Sequence, residues 1–165
     1  MHTLYRYFIV FTVVFTLCTI AHTQPANMLD ITLNVSPHSA RIIVHFNNKG
    51  STPLRLWGDG NSWGWDNVRF IIIRNNVPFY FRRNPDEMFT RNGPGYDEVG
   101  KLKSLDRAFD LSDGSWITSK NAPKEILRSD TVICTYAINS TPAAAKYDVW
   151  IGTACGVNGL LYANQ

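Results

Sequence analysis

Nucleophilic catalysis needs a histidine within hydrogen-bond reach of both a nucleophile and an acid. Of the four histidines, His38 and His45 lie well inside the chain. His38 follows Pro37 in a turn, and His45 sits among aliphatic residues in Arg41–Asn47 (RIIVHFN). There is no G-x-S-x-G elbow. The acid pairs Asp86-Glu87 and Asp97-Glu98 flank a Pro/Gly-rich stretch and read as solvated surface rather than as a glycosidase pair. No catalytic residue is assigned, and the chain reads as a non-enzyme.

Metal and cofactor chemistry finds no motif either. There is no H-E-x-x-H, no C-x-x-C, and no His pair four residues apart. Asp110-Leu111-Ser112-Asp113-Gly114-Ser115 spaces oxygen donors like a calcium loop, but the downstream Glu is missing and the simpler reading is a β-turn. No metal and no cofactor is expected.

Recognition is better served. Trp57 to Asn67 holds three Trp (Trp57, Trp63, Trp65) and three Gly in eleven residues, with Asp59 and Asn61 among them. A Trp on a loop offers a flat apolar face with a polar edge, suited to a sugar ring or a protein partner. The same rings would also serve to plug one end of a β-sandwich. A second candidate is the segment between Asn67 and Pro85, where Arg69, Arg74, Arg82 and Arg83 meet no acid. Pairing Arg69 opposite Arg82 is unfavourable unless an anion neutralises the pair. That anion is Asp66, Asp86, a neighbouring strand, or an external acidic group such as a sulfated glycan. A net charge of +3 over 165 residues does not by itself imply nucleic acid, and no nucleic-acid partner is expected.

The start of the chain indicates where this chemistry takes place. Arg6 is followed by Phe8–Ile20, thirteen residues without a charge, and then by small residues around Ala21 and Thr23. That is the pattern of a secretory signal over residues 1–23, leaving residues 24–165 as one domain outside the cell. Thirteen apolar residues fall short of a bilayer core of about 30 Å, so stable membrane insertion is not expected. In an exported chain Cys134 and Cys155 are expected to pair, closing a loop worth about 3 kcal/mol in the chain-entropy model. Asn34 and Asn139 head N-x-S/T sequons and make the chain a candidate glycoprotein.

The elements that must position these groups are β-strands. Leu29–Ser36 and Arg41–Asn47 alternate apolar and polar residues, the mark of half-buried strands. Leu54 and Leu56 begin a third. Val68–Arg83 reads as a hairpin turning at Asn75-Asn76, a type I′ signal, with Phe70, Ile72, Phe79 and Phe81 on one face. Pro78 demotes its strand to an edge at that point. Further strands are expected at Val99–Leu105, Arg107–Leu111, Ser115–Thr118, Thr131–Asn139, Lys146–Thr153 and Leu160–Tyr162; no helix is expected. Seven to nine short strands predict an all-β, antiparallel β-sandwich, broadly immunoglobulin-like, with a small β-barrel as the alternative.

The resulting expectation is a secreted recognition or extracellular matrix protein that binds a glycan or protein through the Trp-rich loop. One alternative is a secreted enzyme inhibitor presenting Asn84–Glu98; another is a structural or mineral-associated matrix component. An exposed edge strand at Val77–Arg82 would also permit a dimer.

Overall fold

Period-two alternation becomes ten antiparallel strands among the residues described by the computed structural model, 29–89 and 92–158. The first sheet orders β1 (Leu29–Val35), β2 (Arg41–Asn48) and β7 (Ser104–Asp110) as β1-β2-β7. The second contains β4 (Val68–Arg74), β5 (Val77–Arg83), β8 (Trp116–Thr118), β9 (Thr131–Ile138) and β10 (Gly152–Asn158), in the order β10-β9-β4-β5-β8. A separate pair joins β3 (Leu54–Trp57) to β6 (Tyr96–Val99). The sheets form a sandwich and do not close into a barrel.

Inward faces of the two large sheets supply the core. Ile42, Val44 and Phe46 of β2 alternate with partly exposed residues and are fully buried. Across the sandwich, Phe46 meets Tyr136 edge-on at 5.0 Å and Phe70 meets Phe109 at 5.6 Å, so aromatic contacts tie one sheet to the other. Each such side chain contributes about 1.5–3 kcal/mol through burial. Along one margin the sheets pinch together. A Cβ on Gly156 of β10 would stand 2.6 Å from both the Ile31 carbonyl oxygen and its Cγ2, so only glycine admits β1 this close.

The hairpin forms with the expected register: Arg74 opposite Val77, Ile72 opposite Phe79, Phe70 opposite Phe81, Arg69 opposite Arg82. Asn75 and Asn76 take φ of 51° and 63°, as a type I′ turn demands. Pro78 lies beyond the reach of β8, which pairs with Phe81 to Arg83 alone, so its missing N–H breaks no ladder.

Three expectations are corrected. A short helix, α1 (Pro142–Lys146), stands where none was expected. Thr141 caps it by accepting the Ala144 N–H at 3.0 Å, and Pro142 occupies the first turn, where an N–H is dispensable. The last strand therefore begins at Gly152 instead of Lys146. The segment expected as one strand at Val99–Leu105 is instead the end of β6, a turn, and the start of β7.

The third correction concerns the cysteines: no disulfide joins Cys134 to Cys155. Pairing places Cys134 opposite Gly156 and Cys155 opposite Thr135. Partners in an antiparallel pair share a face and neighbours along a strand alternate, so the two thiols leave opposite faces of the sheet. Met1–Thr23 and the strand expected at Leu160–Tyr162 lie outside the described residues.

Candidate functional site

The Trp-rich segment is a tightly bonded loop between β3 and β4, organised by one buried amide. Asn61 Oδ1 accepts the Trp63 and Gly64 N–H groups at 3.0 and 3.2 Å, and its Nδ2 donates to the Gly95 carbonyl at 3.1 Å. Gly58 donates its own N–H to that same carbonyl at 2.9 Å. Gly64 has to be glycine, because a Cβ there would run into the Gly58 carbonyl. Asn67 Nδ2 donates to the Trp63 carbonyl at 2.9 Å and closes the far side.

The three indoles divide the work. Trp57 is core, 2% exposed, with Trp63 at 6.1 Å and Tyr147 at 5.8 Å from its ring. Trp63 packs half-buried on that core. Trp65, also half-buried, donates its indole N–H to the Asn84 carbonyl at 2.7 Å and meets Phe89 edge-on at 5.5 Å. The loop is thus divided: Trp57 and Asn61 are buried as a plug, whereas Trp63 and Trp65 keep part of their surface in solvent. Asp59, in the same loop, is half-buried.

Most of the arginine segment is answered internally. Arg74 makes a two-pronged contact with the buried Asp130 carboxylate, at 2.9 and 2.7 Å. Arg69 pairs with Asp66 at 3.2 Å. Arg83 turns inward and is 7% exposed. Its guanidinium sits between the Trp65 and Trp116 rings, pairs with Asp113 at 3.2 Å and donates to the Ser115 hydroxyl. Burial lowers its pKa, and Asp113 pulls part of that back. Of the three arginines expected as contacts, Arg82 alone is exposed without an ion-pair partner among the described residues; it stands opposite Arg69 on one side and Ile117 on the other.

The segment Asp110–Ser115 uses its carboxylates to shape a turn. Asp110 Oδ1 accepts the Ser112 N–H at 2.9 Å and hydroxyl at 2.6 Å, which holds its carboxyl below the usual range. Asp113 likewise accepts the Ser115 N–H and hydroxyl, and it pairs with Arg83. Among the acid pairs, Asp97 binds Arg107 at 2.7 Å and Glu98 faces Arg55 at 3.6 Å. The sequon residues Asn34 and Asn139 are both exposed.

Two constellations escaped sequence reasoning. Arg107 is buried at 6% exposure, donates to the Trp57 carbonyl at 2.8 Å, and lies near the fully buried Tyr136. Its position was readable in principle, since Leu105, Arg107 and Phe109 share one face of β7. His45 Nδ1 lies 2.7 Å from Asp106 across the β2–β7 pairing, which no local signal announces. No family model, curated protein or solved structure matches the chain.

Proposed function

We propose that the chain is an exported, non-enzymatic recognition protein that engages an extracellular glycan or protein through the β3–β4 loop. The observation that carries this reading is the partial exposure of Trp63 and Trp65 on a loop fixed at Asn61, Asn67, Asn84 and Gly95. A loop whose backbone is already bonded loses little conformational entropy on docking, so the contact surface of the two indoles goes into affinity. Export rests on the pattern of residues 1–23.

The test replaces Trp63 by Ala and Trp65 by Phe in one variant, so that a ring still covers Arg83. With near-ultraviolet circular dichroism unchanged, binding to immobilised glycans and extracellular matrix proteins should fall at least tenfold. Undiminished binding by the folded variant would overturn the reading.

One observation favours the inhibitor alternative: Met88 in the β5–β6 connection is 88% exposed. A protruding apolar side chain three residues after Pro85 suits insertion into an enzyme cleft. Inhibition of a protease panel that is lost on Met88→Ala would support it, and no inhibition at micromolar protein would dismiss it.

A further inference from the structure

We propose a second binding site, for a hexopyranose carrying a protonated amine, in the groove between β3 and the α1–β10 connection. It deepens the recognition reading and rests on it. The groove is half open to solvent and offers about 470 Å³, within the range of small-molecule sites, and Leu54 and Val149 give it apolar walls. The Trp150 N–H, bonded to the Arg55 carbonyl at 2.8 Å, holds the two walls together.

Four groups face the space with defined chemistry. Trp150 is half-buried, stacked at 6.1 Å and 17° on the buried Tyr136, which fixes the plane of its ring. Its indole N–H has no acceptor among the described residues. Arg55 is held over the Tyr96 ring at 4.9 Å, donates to the Tyr147 carbonyl at 3.2 Å and lies 3.6 Å from Glu98. Asp148 has neither a cation nor a side-chain hydrogen bond among the described residues. It follows α1 in a left-handed conformation, φ 52°, a position where glycine is the default.

These groups identify the ligand class. A ring hydroxyl both donates and accepts, so neighbouring hydroxyls satisfy the donors on Arg55 and Trp150 together with the acceptor on Glu98. Arg55 and Glu98 cancel, and the charge left over is the Asp148 carboxylate, which calls for a cation. A lysine side chain would answer Asp148 but would leave the indole donor without an acceptor. An amino sugar answers all four.

The experiment uses the full chain and titrates it with a β-1,4-linked glucosamine trisaccharide, its N-acetylated counterpart and tetralysine, read by heat and Trp fluorescence. The amine trisaccharide should bind tightest. Asp148→Asn should weaken it about tenfold, the scale of one charge-assisted hydrogen bond, and leave the acetylated sugar unchanged. Trp150→Phe, which preserves stacking on Tyr136, should weaken both sugars. No binding at millimolar trisaccharide, binding indifferent to Asp148→Asn, or tetralysine binding as tightly as the sugar would each overturn the proposal. The Trp63/Trp65 variant should retain this binding. Loss of the loop's partner with trisaccharide binding intact would therefore separate failure of one site from failure of the other.

Discussion

The Arg83 guanidinium lies 4.3 Å from the centre of the Trp65 ring and 4.2 Å from that of Trp116. A planar cation between two indoles gains from both π faces while its edge meets Asp113 and Ser115. This stack joins the β3–β4 loop to β5 and β8, so that loop and the five-stranded sheet share one anchor.

Arg83→Lys should therefore destabilise the fold by about 2 kcal/mol in urea unfolding, because an ammonium cannot stack on two rings and bridge Asp113 at once. Trp65 emission should become more accessible to acrylamide in the same variant. Wild-type stability and quenching would show that the sandwich contributes nothing.

The phenol of Tyr136 sets the behaviour in alkali. Burial raises its pKa, and the nearby Arg107 guanidinium offsets this only in part. For an acid whose folded pKa is raised, the neutral form is favoured in the native state. Its stabilisation is complete below the unfolded value near pH 10 and is lost as pH rises from there toward the folded value. Stability should fall steadily above about pH 10, and Tyr136→Phe should flatten that decline. At neutral pH the same substitution should cost under about 1 kcal/mol, since the hydroxyl completes no hydrogen bond to the protein. Urea midpoints across the pH range measure both effects.

The two thiols should behave separately. Cys134 is fully buried, and burial pushes its pKa well up, so alkylating reagents should label it only on unfolding. Non-reducing peptide mapping should recover no Cys134–Cys155 linkage, and reductant should leave the melting temperature unchanged. A native disulfide between these two cysteines would contradict the β9–β10 register.

The reach of the sequence depends on how local each signal is. The Asn75-Asn76 turn fixes every pairing from Arg69 to Arg82, because a two-residue loop leaves no freedom of register. The β9–β10 pairing is different. A tight connection from Ile138 to Tyr147 would put Cys134 opposite Ile151, but α1 takes up the intervening residues and Ile138 instead faces Gly152. The cue was present in Thr141-Pro142, a cap followed by a residue suited to the first turn. The Trp loop was legible as an unusual composition; its division into core and surface was not, because that depends on Gly95 and Asn84 arriving from the β5–β6 connection. Arg83 was misjudged for a related reason. Its stacking partners, Trp65 of the β3–β4 loop and Trp116 of β8, lie outside the hairpin, and nothing in the hairpin itself records them.

The close approach at Gly156 has a mechanical consequence. The first and last described strands lie against each other there, with the rest of the sandwich between them in chain order. A pull transmitted through the two ends of the chain arrives first at that seam. A bulkier residue at position 156 would prise the seam open, so the bare backbone there is what lets the two outermost described strands resist such a pull together.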